Sequence, residues 1–105
     1  MEHLNFRHAG QRPAAASRAS AIVGVVASGN LEVLVERVLP HDECEVDIRT
    51  PVTGFDSVWQ AVVSDFAARG AVGGLRFSIN DGGARPDMVG LRLAQALRAM
   101  AGEAP

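Results

Sequence analysis

The chain has no lysine: all ten basic residues among its 105 are arginine. Without a lysine amine there is no Walker A phosphate loop, no Schiff-base chemistry and no pyridoxal attachment. The arginine bias itself is read as a trace of GC-rich coding rather than of chemistry. There is one cysteine, Cys44, so no internal disulfide and no multi-cysteine metal site, and a reducing cytoplasm is the expected location. Tyrosine is absent, and four Phe and one Trp make no stacking platform for bases. A net charge of -2 supplies no basic stripe for nucleic acid. The three histidines, His3, His8 and His41, are not at ligand spacing, so no metal site is expected. No apolar run reaches membrane length. Arg7, Arg12 and Arg18 ahead of AIVGVVA, with Ala27-Ser28 beyond, imitate a short signal peptide. That run lacks Leu and continues into a regular strand pattern, so it is read as part of the fold.

What is present suits one modest globular domain: 48% of the residues are hydrophobic. Residues 1–20 show no sustained period and are expected to form a flexible arm, with a short extended piece at Leu4–Phe6. Ala21–Ala27 is apolar on both faces, as in a central strand. Ser28-Gly29-Asn30 is turn chemistry. In Leu31–Glu36, Leu31, Val33 and Val35 alternate with Glu32 and Glu36, while Leu34 falls on the Glu side. The two runs predict a hairpin. Cys44, Val46 and Ile48 alternate with Glu43, Glu45, Asp47 and Arg49, a half-buried strand that puts Cys44 in the core.

Thr53 reads as a helix cap with Asp56 reaching back, followed by Phe55, Val58, Trp59, Val62, Val63 and Phe66 at helical spacing. That helix should end near Arg69-Gly70. Leu75, Phe77 and Ile79 mark a further strand, and Asn80-Asp81-Gly82-Gly83 a loop. Pro86 opens a second helix with the stripe Val89, Leu93, Ala96, Leu97 and Met100, stopping at Gly102. The order β-β-β-α-β-α predicts an α+β two-layer sandwich: a mixed four-stranded sheet with two helices on one face. The domain should span 21–102, with a tail at 103–105.

Ser28 is the one candidate nucleophile. Its surroundings are not a G-x-S-x-G elbow, and no histidine is placed by a recognisable signature to serve as its base, so a serine hydrolase is disfavoured. Glu32 and Glu36 read as solvated. Asp81 reads as a turn aspartate in a position that can also serve function, and Arg85 with Arg92 as a surface pair able to receive a phosphate or an acidic partner. The residues alone leave two classes open: a carrier for a covalently attached group, and an interaction subunit in which Ser28 is only a turn residue.

The stretch VGVVASGNLEVLVE resembles the attachment region of the malonate decarboxylase acyl carrier family, the delta subunit of that complex. Ser28 matches the family's modified serine, and Gly29, Leu31, Glu32 and Val33 match the family's residues just after that serine. A second block, NDGGARPDMVGLRLAQAL, resembles the family's carboxy-terminal segment at Asp81, Gly83, Ala84, Pro86, Val89, Leu91, Arg92 and Leu93. Asn30 stands where the family commonly has Asp, and Gly90 where Arg is common. The resemblance implies a 2'-(5''-phosphoribosyl)-3'-dephospho-CoA arm on Ser28, flanked by Gly29 and Asn30. Glu32, Asp81, Arg85 and Arg92 would serve in support or docking. It implies a carrier that is not itself catalytic, whose partners are an acyltransferase (alpha) subunit, decarboxylase (beta, gamma) subunits, a malonyl transferase and a prosthetic-group transferase. The citrate lyase carrier subunit, which uses the same kind of arm, is the second resemblance.

Overall fold

The computed structural model describes residues 1–103; Ala104 and Pro105 of the expected tail lie outside the described residues. Its elements run β1 (Glu2–His8), β2 (Ser20–Gly24), β3 (Leu31–Arg37), β4 (Cys44–Thr50), α1 (Asp56–Arg69), β5 (Leu75–Asp81) and α2 (Pro86–Met100). The sheet is mixed, with spatial order β1-β4-β5-β3-β2. β2 and β3 form the expected antiparallel hairpin, with Val23 opposite Val33. β4 and β5, joined through α1, are parallel. The α+β class and the two helices are as the sequence predicts, but the sheet has five strands, not four.

The fifth strand comes from the expected flexible arm. β1 pairs antiparallel with β4 along its whole length, from Glu2 opposite Thr50 to His8 opposite Cys44. Its inward residues Leu4 and Phe6 pack on the core, while His3, Asn5 and Arg7 face out. There Arg7 meets Glu43 at 3.3 Å, Asn5 donates to Glu45 at 2.9 Å, and His3 lies 2.7 Å from Asp47. The carboxylates on and beside the outer face of β4 are therefore hydrogen-bonded by the neighbouring strand as well as solvated. Residues 9–19 are tied down as well: Ala14 N–H donates to Gly73 C=O, Ser17 N–H to Met100 C=O, and Arg37 to Ala16 C=O. Ala14 and Ala16 pack against the core.

Ala21–Ala27 is not a central strand. β2 lies at the sheet edge and stops at Gly24, whose φ of 79° turns the backbone out of the ladder. Val25 and Val26 follow into an exposed loop. The second apolar face of this run is the outward Ile22, which sits opposite the out-of-pattern Leu34. The central strand is β5, flanked by β4 and β3.

Both helices cover one face. α2 lies over β2 and β3, and α1 packs beside α2 and over β1. Phe77 is fully buried between sheet and helices and meets Phe66 edge-to-face at 5.3 Å. α2 follows the predicted stripe, burying Val89, Leu93, Ala96 and Met100. α1 departs from prediction at its start. Its N-cap is Phe55, with no side-chain cap bond, so Thr53 does not cap it. Phe55 and Val58 remain 51% and 39% exposed, while Trp59 and Val63 are buried.

Candidate functional site: the Ser28 turn

Ser28 sits at the tip of a tight turn between β2 and β3, closed by Asn30 N–H donating to Ala27 C=O at 2.9 Å. Gly29 takes φ 75° at the third position of this turn, a conformation that costs a residue with a Cβ about 1–2 kcal/mol. A Cβ on Gly29 would meet nothing within 4 Å, so the tip projects into open space. Ser28 is exposed.

The root of the turn is held firmly. Gly29 N–H donates to Gly82 C=O at 3.0 Å, and Gly82 N–H donates to Asn30 C=O at 2.8 Å. The contact is so close that a Cβ on Gly82 would lie 2.1 Å from Ala27 O. Asn30 uses its side chain too: Oδ1 accepts from Leu31 N–H at 2.8 Å and from Arg92 Nε at 3.1 Å. Arg92 is steadied in turn by Gln95, one α2 turn further on, at 2.7 Å. Two accepted bonds fix which amide atom is the oxygen.

Asp81 lies behind this clamp and is 6% exposed. Its Oδ2 accepts from the Thr50 hydroxyl at 2.9 Å and its Oδ1 from Ala84 N–H at 2.9 Å. A buried carboxylate satisfied on both oxygens is a brace: it joins the ends of β4 and β5 and shapes the loop that presents Gly82. Of the residues singled out by sequence, Asn30, Asp81 and Arg92 thus converge around the Ser28 turn. Glu32 does not; it points to the helix-free face, where Asn80 donates to it at 3.4 Å. Arg85 and Arg92 do not act as a pair. Arg85 is an exposed residue 3.5 Å from Asp87, while Arg92 is engaged with Asn30. Gly82 is the functional neighbour that sequence reasoning passed over, because its value lies in a long-range contact.

None of the histidines can serve Ser28 as a base. His3 and His8 are on β1, at the sheet edge opposite the β2–β3 hairpin, and His41 lies in the β3–β4 loop at the far end of β3. Cys44 is fully buried, and burial, reinforced by the charge of Glu45, pushes its thiol up to about 12. It is core, not a nucleophile. Among the described residues, no three His, Cys, Asp or Glu side chains gather as a metal site.

The fold and this turn define a small α+β domain that presents one serine at an exposed turn whose backbone is clamped. The comparisons with known proteins make the class specific. The family model of the malonate decarboxylase delta subunit matches residues 18–100. The malonate decarboxylase acyl carrier protein of Bradyrhizobium diazoefficiens is 64% identical over 96% of both chains. That of Xanthomonas axonopodis is 56% identical over 97% of both, and that of Acinetobacter calcoaceticus 47% identical over 98% of this chain and 100% of its own. A chain in the crystal structure of a Pseudomonas malonate decarboxylase hetero-tetramer in complex with malonate superposes with a TM-score of 0.81 at 36% identity, covering 95% of this chain and 99% of that one. The chain belongs to the malonate decarboxylase acyl carrier (delta subunit) family. Membership implies a covalently attached prosthetic arm, and the citrate lyase resemblance gives way to malonate decarboxylase.

Proposed function

We propose that Ser28 is the attachment point of the arm and that the arm is 2'-(5''-phosphoribosyl)-3'-dephospho-CoA, joined to Ser28 Oγ through a phosphodiester. When bound, it supplies a thiol that carries acetyl and malonyl thioesters while the complex converts malonate and a proton to acetate and carbon dioxide. The observation that carries this reading is the clamped turn: its backbone is anchored by Gly82 and Asn30, yet its tip faces open space. A phosphodiester needs an exposed hydroxyl and room for a bulky substituent, and Ser28 and Gly29 offer both. Asn30 adds a neutral amide that accepts from the Arg92 guanidinium. Gly29 and Asn30 therefore flank the attachment point, and Arg92 and Asp81 support it.

The chain's own contribution is to hold Ser28 in place while the arm reaches the active sites of others, which raises local substrate concentration at each. The partners on this reading are the acyltransferase (alpha) subunit, the decarboxylase (beta, gamma) subunits, a malonyl transferase and the prosthetic-group transferase, all in the cytoplasm. Arg85, exposed at the start of α2, and Glu32, half-buried on the open face, are the docking residues proposed for them. Intact mass of the protein from its own host, with peptide mapping around Ser28, tests the attachment. Ser28→Ala is expected to carry no adduct and to abolish malonate turnover by the complex, while stability changes by less than about 0.5 kcal/mol, as for other exposed sites. An active complex containing Ser28→Ala would overturn the proposal.

A further inference from the structure

We propose that the hollow between the start of α1 and the ends of β4 and β5 is a resting site for the uncharged end of the arm, admitting the thiol or its acetyl ester and excluding a malonyl ester. This rests on Ser28 being the attachment point. The hollow has a volume of about 330 Å³, within the range of small-molecule sites. Its walls include Val52, Phe55, Val58, Trp59, Val62 and Val89. Three of these, Val52, Phe55 and Val58, are between 39% and 51% exposed. Helical spacing sends Phe55 and Val58 to the core, yet they surround a hollow instead, with Trp59 and Val89 buried beneath. Exposed apolar groups that converge on one concavity mark a binding surface more than scattered ones do.

Position points to the arm as the occupant. Asp81 braces Thr50 and Ala84, which both line the hollow, and the next residue, Gly82, clamps the serine turn. Turn and hollow are thus on two sides of one short loop. The loop that links them, Gly82, Gly83 and Ala84, carries no side chain larger than a methyl. Leu31, where the turn enters β3, pairs with Asp81, and β4 is the next strand beyond. Two strand spacings make roughly 10 Å. An arm built of a phosphoribosyl-nucleotide, a diphosphate and pantetheine is longer than that. Tethering raises its local concentration, so weak affinity suffices.

Chemistry sets which end is admitted. The lining residues include no cation, and their one charged member, Asp81, has both oxygens already engaged. An acetyl methyl gains by leaving water there. A malonyl carboxylate would lose its hydration beside another carboxylate with nothing to compensate. The neutral ester therefore rests, shielded from nucleophiles, and the charged one stays in solvent, available to a partner.

Trp59 is the chain's one tryptophan, so its emission reports on the hollow. The protein is prepared bare, arm-loaded, acetylated and malonylated, and intact mass verifies each state. Failure to load Ser28 would sink the attachment reading; a loaded protein with unchanged Trp59 would sink this one alone. The expected result is a shift in Trp59 emission in the acetyl form that reverses in the malonyl form. Hydroxylamine, which cleaves thioesters, should act several-fold faster on acetylated Val58→Glu than on the acetylated wild type. Val58 is on the exposed rim, so this variant keeps the core intact. Equal emission in the bare and acetyl forms, an equal shift in the malonyl form, or equal cleavage of Val58→Glu and wild type would each overturn the proposal.

Discussion

Gly82→Ala puts the clamp on the serine turn to the test. A Cβ on Gly82 would stand 2.1 Å from Ala27 O and 2.9 Å from both Ala27 C and Asn30 O. All three are backbone atoms, so no side chain can swing aside; the turn itself must move. Moving it breaks the two bonds between Gly82 and the turn, at 3.0 and 2.8 Å. At a net of about 1 kcal/mol for each bond, the loss is ~2 kcal/mol. For a domain of this size that corresponds to a fall in Tm of roughly 10 °C. Gly83→Ala is the control. Gly83 has φ 90° but open space around it, so its substitution strains the backbone by about 1–2 kcal/mol without touching the turn. Stability alone would not separate the two, but amide hydrogen exchange does. Gly82→Ala should deprotect the Gly29 amide, whose acceptor is Gly82 C=O, and Gly83→Ala should leave it protected. If Gly82→Ala melts within about 2 °C of wild type with the Gly29 amide still slow, the clamp is not what holds the turn.

The same geometry sets three further outcomes. Asn30→Asp places a carboxylate against Arg92 and should stabilise the protein by about 0.5 kcal/mol at low salt, an increment that vanishes in the Arg92→Ala background; a double-mutant cycle with no coupling would contradict the contact. Cys44, buried and with its thiol raised to about 12, should react with a disulfide reagent only at the rate of unfolding, measured by labelling across a denaturant series. Asp47 is partly buried, which alone would raise its pKa, but hydrogen bonds from Asn5 and His3, with the charges of His3 and Arg49, bring it below the ordinary value. A depressed carboxyl stabilises the fold above its unfolded pKa of about 3.9 and loses that contribution as pH falls through the lower folded value. The Tm difference between wild type and Asp47→Asn should accordingly narrow from pH 6 to pH 3, and a constant difference would refute the role of the charge.

The parts of this fold that were legible in the sequence are those governed by local period. Leu31–Glu36, Glu43–Arg49, Leu75–Asn80 and both helices could be traced because each alternates or recurs against a single buried face. β1 could not. Its partner-facing residues, His3, Asn5 and Arg7, are polar because they bind the acidic face of β4, and its inward residues are only Leu4 and Phe6 between a Glu and a His. That pattern reads as a loose arm until β4 is beside it. Ala21–Ala27 misled for the opposite reason: Ile22 finds Leu34 across the hairpin on the open face, so apolarity on both sides did not mean burial on both sides. At the site, the turn itself was legible as Ser-Gly-Asn chemistry between two apolar runs. The fixing of Asn30 by Arg92, 62 residues away, and of the turn by Gly82 are contacts that no local window contains.

That division has a physical basis in what a carrier must do. An arm that visits several active sites gains from length and freedom, but each visit is effective only if the root of the arm is fixed, since motion at the root dilutes the end over a larger volume. A six-residue hairpin loop left to itself would supply a mobile root. Here the turn is bound from three elements: Gly82 after β5, Arg92 on α2, and Leu31 at the start of β3. None of these contacts uses the Ser28 side chain. On the proposed attachment, the clamp persists when the hydroxyl is esterified, so loading would change what the turn carries without changing how it is held. For this reason the rigid residues around Ser28, rather than Ser28 itself, are where substitutions should impair delivery while leaving attachment possible.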